Sequence, residues 1–214
     1  MLDSIKFIDG GITAAKGFTA SGYNCGIKAG RTKNDTALVY SEKLCNASGV
    51  FTRNIVKAES VKYTQQILKN GKAQAAIVNV GYANACTGEQ GAQVAKKMAI
   101  AAANALNINP DDVIVCSTGI IGQQVPVEKI EKNIMNLKNG LSKEGHKDAS
   151  IGIMTTDTQN KECAVQFELD GKVVTIGTMC KGSGMIHINM GTMLGFIATD
   201  CNITSAMLDK ALHE

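Results

Sequence analysis

The feature that most restricts the fold is a pair of alternating stretches on either side of a tight-turn dipeptide, Asp170-Gly171. Apolar or β-branched residues occupy every second position: Val165, Phe167 and Leu169 before the turn, and Val174, Ile176 and Thr178 after it. Alternation of this kind around Asp-Gly predicts an antiparallel hairpin. Its second strand leads through Lys181 into a glycine-rich segment, 180–200, whose backbone can adopt positive φ angles and approach other groups closely.

The rest of the chain alternates between predicted strands and predicted helices. Strands are predicted where β-branched and apolar residues cluster between turn formers, at 36–41, 49–52, 73–80, 112–116 and 150–155. Helices are predicted at 60–69, after the loop 79–91 as far as about Leu106, from Val127 to Asn139, and from Ser205 onward. The glycine-rich first 30 residues are expected to form short strands and turns without a helix. Helices between strands, combined with an antiparallel hairpin, predict a layered α/β sandwich of mixed sheets.

The composition is that of a globular protein without an evident nucleic-acid surface. Of the 214 residues, 44% are apolar, enough to bury roughly 70% of the unfolded surface in one medium domain or two small ones. The net charge of +3 arises from 22 basic and 19 acidic residues without long runs of one sign, and aromatic residues make up only 4%. These values do not favour a nucleic acid or an anionic membrane as a partner.

Membrane spans, metal sites and nucleotide sites are also not predicted. No apolar run reaches the roughly 20 residues of a membrane span, and the N-terminus does not resemble a signal peptide, so a cytoplasmic location is expected. The seven cysteines are odd in number and contain no C-x-x-C, which indicates neither a disulfide framework nor a zinc site. The glycine-rich stretches match neither phosphate-binding pattern, and no nucleotide cofactor is expected.

Within the glycine-rich segment, the Gly191-Thr192 bond is a candidate for self-cleavage. The Thr192 hydroxyl would attack the Gly191 carbonyl, which no side chain of its own residue shields. Cleavage would free an α-amine with a pKa of about 7.7–8.0, and this amine could then activate the hydroxyl as a nucleophile. The alternative is an ordinary strand that follows a loop.

Other residues could assist such a nucleophile. Thr118 and Gly119, which follow the predicted strand 112–116, offer a hydroxyl and a backbone N–H to a developing oxyanion. The remaining candidates are a carboxylate-binding cation, a hydrogen-bond donor and a general base: Lys181, Thr155 or Thr156, and His187. Each of them also has a purely structural interpretation, as a turn former or a solvated side chain.

Six sequence blocks together resemble one family. They are I-T-A-A-K-G-F from Ile12, G-V-F-T-R-N from Gly49, A-N-A-C-T-G-E-Q-G from Ala83, S-T-G-I-I-G from Ser117, I-M-T-T-D-T from Ile153 and K-G-S-G-M-I-H-I-N-M-G-T-M-L from Lys181. In this combination and order, the blocks resemble the bifunctional ornithine acetyltransferase / glutamate N-acetyltransferase family of arginine biosynthesis. The resemblance covers the whole chain.

The resemblance implies a precursor that cuts itself before Thr192 into α and β chains. Thr192 would then carry the acetyl group from N2-acetylornithine to glutamate, with acetyl-CoA left open as a second donor. The resemblance also implies that Thr118 and Gly119 form the oxyanion hole and that Thr155 and Lys181 bind substrate. The implied fold is the α/β sandwich of self-processing aminopeptidases, assembled as a dimer of αβ pairs, without a cofactor or a metal.

Two departures from the family pattern lie near the proposed site. The family has Ala before the threonine and Pro in an H-P-N-M stretch, where this chain has Gly191 and Ile188. Its N-S-G-N loop is N-V-G-Y here, with Val80 and Tyr82 in place of polar residues. We expect Gly191 to permit cleavage, Ile188 to loosen a backbone angle that proline would hold, and the loop changes to alter packing or substrate contacts.

The largest departure is length, because family members are about twice as long and only 23 residues, 192–214, follow the expected cut. Residues 1–191 correspond to the α chain and 192–214 to the start of the β chain, so the fold is expected to be truncated at its C-terminus. A second polypeptide would supply the remainder. Two other interpretations stay open: a self-processing amidase of the same fold, which passes the acyl group to water, and a non-catalytic remnant that needs a partner.

Overall fold

The computed structural model describes residues 5–185 and 190–214. Eight strands run through these residues: β1 (Lys6–Ile8), β2 (Phe18–Tyr23), β3 (Thr36–Asn46), β4 (Lys72–Tyr82), β5 (Val113–Ile120), β6 (Lys161–Leu169), β7 (Lys172–Lys181) and β8 (Leu194–Thr199). The α-helices of the same residues are α1 (Glu59–Ile67), α2 (Gly88–Leu106), α3 (Val127–Asn139), α4 (His146–Gly152) and α5 (Ser205–His213). Short 3₁₀ turns occur at Gly11–Thr13, Leu68–Asn70 and Pro110–Asp112.

The strands form two four-stranded sheets. The central sheet has the order β2-β3-β4-β5, in which β4 and β5 are parallel and the other pairs are antiparallel. The hairpin sheet has the order β1-β6-β7-β8 and is antiparallel throughout. Helix α2 lies in the crossover between β4 and β5, which parallel neighbours require. The predicted α/β class with mixed sheets is confirmed.

The predicted hairpin is formed by β6 and β7. Leu169 pairs with Lys172, so Asp170 and Gly171 make a two-residue loop. Both loop residues have positive φ angles, 50° and 71°. Two positive φ angles suit the right-handed twist of the flanking strands, and aspartate and glycine tolerate them better than other residues do. This local preference is why the dipeptide located the turn.

Alternate residues of the central sheet build two separate cores. One set, which includes Ile77 and Val115, packs against helices α2 and α3. The intervening set, which includes Val78, packs instead against Met179 of β7 and Ala198 of β8. Because successive strand residues point to opposite faces, the central sheet is the middle layer, between the helices and the hairpin sheet.

Helix α1 protects the free edge of β5. Thr64 Oγ1 donates a hydrogen bond to the Val115 carbonyl at 2.8 Å and accepts one from the Val115 N–H at 3.1 Å. One side chain therefore supplies both hydrogen bonds that a neighbouring strand would otherwise make at this position. Covering an edge in this way prevents unwanted strand pairing.

The far side of the hairpin sheet carries an apolar surface, which we call the outer apolar face (Phe7, Val165, Ile176 and Ile197). Strand register places Phe7 beside Val165 and Val165 beside Ile176. Phe7 is 80% exposed and Ile197 is 63% exposed. A sheet face of this kind normally packs against another layer, but no such layer covers it within the described part of the chain.

Parts of the predicted secondary structure are wrong. Residues 150–155 form the end of α4 and a turn rather than a strand, because Ala149 and Ile153, four residues apart, are both buried against the central sheet. Residues 49–52 have an irregular backbone, and the 3₁₀ turn Gly11–Thr13 lies where the sequence predicts no helical structure. A short apolar run fits either a strand or a helix, and the tertiary packing decides between them.

Candidate functional site

The ends of β5 and β7 and the segment before β8 meet between the two sheets. Lys181 Nζ, at the end of β7, donates to Thr118 Oγ1 of β5 at 3.3 Å and to the Thr192 carbonyl oxygen at 3.4 Å. Strand alternation explains the meeting, because Thr118 shares a face with Cys116 and Lys181 shares a face with Met179, and both of those residues pack in the core between the sheets. Lys181 therefore contacts two other predicted site residues, Thr118 and Thr192.

The ammonium group of Lys181 is buried without a carboxylate beside it. The residue is 5% exposed, and no carboxylate of residues 5–185 or 190–214 lies within 4.0 Å of Nζ. Burial lowers the pKa of Lys181, while the negative charge of Asp157 raises it and the positive charge of Lys161 lowers it further. A positive charge that is poorly hydrated and not directly paired favours the binding of an anion.

Only glycine fits at position 119, directly after Thr118. Its φ angle is 138°, and a Cβ atom there would lie 2.3 Å from the carbonyl carbon of Gly81 on β4. The two parallel strands thus touch backbone to backbone, which fixes the direction of the chain after Thr118. Val80 pairs with Thr118 and is buried, so this departure adds apolar packing beside the site. Tyr82 packs against the helix-side core.

The hydroxyl of Thr192 lies among backbone carbonyls in the uncut chain. Oγ1 donates a hydrogen bond to the Met185 carbonyl oxygen and lies 3.3 Å from that of Gly184. Gly191 is exposed. The Thr192 carbonyl accepts from Lys181, so this lysine links the proposed nucleophilic residue to Thr118.

The threonine-rich loop 155–158 lies beside the end of β7 and is held there by Asp157. Asp157 Oδ1 accepts from the Gly182 N–H at 2.9 Å, and Oδ2 accepts from the Thr155 N–H at 3.3 Å. The Asp157 side chain is 1% exposed and also pairs with Lys161 Nζ at 2.7 Å. One carboxylate therefore joins the loop to the residue that follows Lys181.

The two threonines that precede Asp157 differ in their contacts. Thr156 Oγ1 is 2.7 Å from Ser183 Oγ, so its hydroxyl is engaged within the protein. The half-buried Thr155 has no hydrogen-bond partner for its hydroxyl among the described residues. Thr155 is therefore better placed than Thr156 to donate a hydrogen bond to a ligand.

Asp157 provides a stability prediction. Burial alone would raise its pKa, but hydrogen bonds from Lys161, Gly182 and Thr155 outweigh burial and lower the pKa from 3.8 to about 2. A carboxylate with a lowered pKa stabilises the folded state above the unfolded pKa, and this contribution is lost as the pH falls through the folded pKa. Asp157→Asn is expected to lower the free energy of unfolding by about 2 kcal/mol at pH 6 and by roughly half as much at pH 3.

Urea denaturation at both pH values measures this difference. Asp111→Asn, on an exposed turn, is the matched control and should show no comparable change with pH. If the free energy lost on Asp157→Asn stays constant between pH 6 and pH 3, the carboxylate charge does not stabilise the fold.

Asp157 was not predicted from the sequence as a site residue. An available signal was an acidic residue in a loop of threonines, because a loop packed against a sheet needs acceptors for its free N–H groups. Two residues that the sequence analysis named, His187 and Ile188, lie outside the described residues.

No group of three or more His, Cys, Asp or Glu side chains in the described ranges is arranged to hold a metal ion, and the seven cysteines are free thiols. No helix of residues 5–185 or 190–214 combines the length and apolar character needed to cross a bilayer.

The chain matches the model of the ArgJ family over residues 19–214. It is 52% identical over 207 residues to the arginine biosynthesis bifunctional protein ArgJ of Caldanaerobacter subterraneus subsp. tengcongensis, and 47% identical over 211 residues to that of Symbiobacterium thermophilum. The alignments cover 97% and 98% of this chain but 51% and 52% of those proteins. The chain therefore spans about half the length of the curated relatives it matches.

Solved structures share the fold. The arginine biosynthesis bifunctional protein ArgJ of Bacillus halodurans has a TM-score of 0.81 and 38% identity, covering 87% of this chain and 98% of that chain. The ornithine acetyltransferase of Mycobacterium tuberculosis, complexed with ornithine, has a TM-score of 0.79 and 37% identity, covering 91% and 100%. The PH0078 protein of Pyrococcus horikoshii, at 14% identity and a TM-score of 0.60, is similar in fold alone. From the family model and these relatives, the chain belongs to the ArgJ family.

Proposed function

We propose that this chain, together with the β-chain region of the family, transfers an acetyl group from N2-acetylornithine to glutamate through an acetyl-Thr192 intermediate. The observation that carries the proposal is the contact of Lys181 Nζ with Thr118 Oγ1 at 3.3 Å and with the Thr192 carbonyl at 3.4 Å. This contact brings together a nucleophilic residue, an oxyanion donor and a cation. The names of the relatives support it, since they include bifunctional proteins of arginine biosynthesis and an ornithine acetyltransferase.

Cleavage of the Gly191-Thr192 bond would first free the nucleophile. Thr192 Oγ1 attacks the Gly191 carbonyl carbon, the C–N bond breaks, and the nitrogen takes up the hydroxyl proton, which leaves an ester. Water hydrolyses the ester and releases the two chains. The Thr118 hydroxyl and the Gly119 N–H would bind the oxyanion, and each such donor is typically worth about 10²–10³ in rate.

The coverage of the solved relatives supports the division into 1–191 and 192–214. Each solved chain is matched almost completely, at 98% and 100%, whereas the full-length relatives are matched over 51% and 52%. Each solved chain therefore has about half the length of a full-length relative, as expected if those enzymes exist as two chains.

In the transfer step, the new α-amine of Thr192, with a pKa of about 7.7–8.0, would accept the proton of its own hydroxyl. Oγ1 attacks the acetyl carbonyl of N2-acetylornithine, and ornithine leaves with the proton on its amine. The amine of glutamate then attacks the acetyl ester, which yields N-acetylglutamate and restores the hydroxyl.

Substrate binding follows from the same arrangement. Lys181 would pair with the α-carboxylate of each amino acid, and Thr155 would donate a hydrogen bond. No cofactor is required, because the substrate itself supplies the acetyl group. Acetyl-CoA would react at the same ester-forming step if the completed pocket admits it.

The rest of the β chain would pack against the hairpin sheet. The exposed residues Phe7 and Ile197 of the outer apolar face offer the β chain a packing surface. Strand β8 is at the edge of the hairpin sheet, so its outer backbone groups are open to an added strand. We place two such αβ pairs in a cytoplasmic dimer, as the family resemblance implies.

Co-expression with the C-terminal half of a full-length relative tests the proposal. We expect N-acetylglutamate to form from N2-acetylornithine and glutamate, and ornithine release to accelerate when glutamate is added, because the amine takes the acetyl group faster than water does. Mass spectrometry with a labelled acetyl group follows the transfer.

The same assay separates the alternatives. A self-processing amidase would release ornithine at one rate with or without glutamate, and the label would appear as acetate. A non-catalytic remnant would release no ornithine, and either result would overturn the proposed transfer. Intact mass shows independently whether a 191-residue product forms.

A further inference from the structure

We propose that Asp157 is a positioning residue for the acyl transfer, which fixes the backbone after Lys181 and supplies the negative charge that acts on its ammonium group. The inference rests on the proposed function, in which Lys181 binds a substrate carboxylate. It adds a residue that touches neither the acetyl group nor the nucleophile.

The carboxylate of Asp157 joins two backbone segments through hydrogen bonds. Its carboxylate accepts from the N–H of Gly182, the residue after Lys181, at 2.9 Å, and from the N–H of Thr155 at 3.3 Å. The side chain is buried, so neither bond competes with bulk water. The end of β7 and the threonine-rich loop are thereby held together, and these two segments carry the proposed substrate contacts Lys181 and Thr155.

The ion pair of Asp157 is with Lys161, at 2.7 Å, rather than with Lys181. Lys181 Nζ instead contacts the uncharged oxygens of Thr118 and Thr192. The negative charge of Asp157 raises the pKa of Lys181 without a direct ion pair between the two side chains. The ammonium group therefore stays available to a substrate carboxylate.

The charged groups around Lys181 shift its pKa in opposite directions. Burial lowers the pKa of Lys181 most, Asp157 raises it, and Lys161 lowers it. Glu162, on the inner face of β6, is engaged with His146 at 3.0 Å. After cleavage the α-amine at position 192 would also titrate in this region, but it is common to all the variants below.

The test uses two substitutions with opposite expected effects. Asp157→Asn keeps an oxygen acceptor but removes the negative charge, and should lower the pKa of Lys181. Lys161→Met removes the competing positive charge and leaves the Asp157 backbone contacts intact, and should raise the pKa of Lys181. NMR titration of the lysine Cε resonances in protein labelled with ¹³C-lysine measures both shifts, with Lys181 assigned by the signal missing from Lys181→Arg.

Activity supplies the second measurement. In the co-expressed enzyme, the alkaline limb of the kcat/KM profile for N2-acetylornithine should move to lower pH in Asp157→Asn and to higher pH in Lys161→Met. A purely structural role would lower activity at every pH without moving the limb. Shifts of the Lys181 resonance in the same direction in both variants, or no shift in either, would overturn the inference.

The two readouts separate failure of this inference from failure of the proposed function. Opposite shifts of the Lys181 resonance in a protein without transferase activity would support the effect of Asp157 on Lys181 and reject the proposed reaction. If Asp157→Asn does not fold, Lys161→Met decides alone, because an unchanged pKa of Lys181 in that variant contradicts the inference.

Discussion

Replacing Thr192 by alanine is expected to abolish both cleavage of the chain and acetyl transfer. The proposed mechanism uses the hydroxyl of this residue twice, first against the Gly191 carbonyl and then against the acetyl group. Among the described residues, Thr118 is the one whose hydroxyl contacts Lys181 Nζ, and it is assigned to the oxyanion, whereas Thr192 contacts Nζ through its carbonyl oxygen. Loss of a nucleophile typically lowers kcat by at least about 10³-fold.

Intact mass and the labelled-acetyl assay measure the two losses separately. Thr192→Ser keeps a hydroxyl and should still cleave, whereas Thr32→Ala, in the exposed loop between β2 and β3, is a control that should behave as the wild type. A third form removes the need for cleavage, because residues 1–191 are expressed separately from a second chain that starts at position 192 and carries Thr192→Ala. Transfer by that form would show that another group is the nucleophile.

Replacing Lys181 by methionine is expected to raise KM for N2-acetylornithine by about 10²-fold, with a smaller effect on kcat. A hydrogen bond to a charged group contributes about 1.5–3 kcal/mol, and the buried position of Lys181 places its contribution toward the upper part of that range. Methionine keeps most of the apolar length of the side chain and removes only the charge.

A substrate without a carboxylate makes this test specific. N-acetylputrescine has the acetyl group and the chain of N2-acetylornithine but lacks the α-carboxylate, so Lys181→Met should process it about as well as the wild type does. Lys172→Met, at the exposed opposite end of β7, is the control. An equal loss on both substrates would mean that Lys181 supports the structure rather than binding a carboxylate.

The residues of the proposed site could be predicted from the sequence, but their spatial arrangement could not. The family resemblance named Thr118, Gly119, Thr155, Lys181 and Thr192, and the structure places Lys181 in contact with two of them. Their distances could not be predicted, because Thr118 belongs to the central sheet and Lys181 to the hairpin sheet. The role of Asp157 could not be predicted from the sequence either, because its contact with Gly182 joins residues 25 positions apart.

Local features of the sequence determined the elements whose signals lie within a few residues. Asp170-Gly171 placed the hairpin, and Asn70-Gly71 placed the end of a helix, where Gly71 adopts a φ angle of 68°. Turn dipeptides and alternating apolar residues act through neighbouring residues, so the elements they specify can be predicted without knowledge of the tertiary structure.

Only the tertiary structure decided the features that depend on packing between layers. The segment 150–155 became the end of a helix and a turn because Ala149 and Ile153 are buried together against the central sheet. The contact of Gly119 with Gly81 likewise exists because two parallel strands pair in one register. Contacts of this kind depend on how whole sheets are placed against each other, and no short stretch of sequence contains that information.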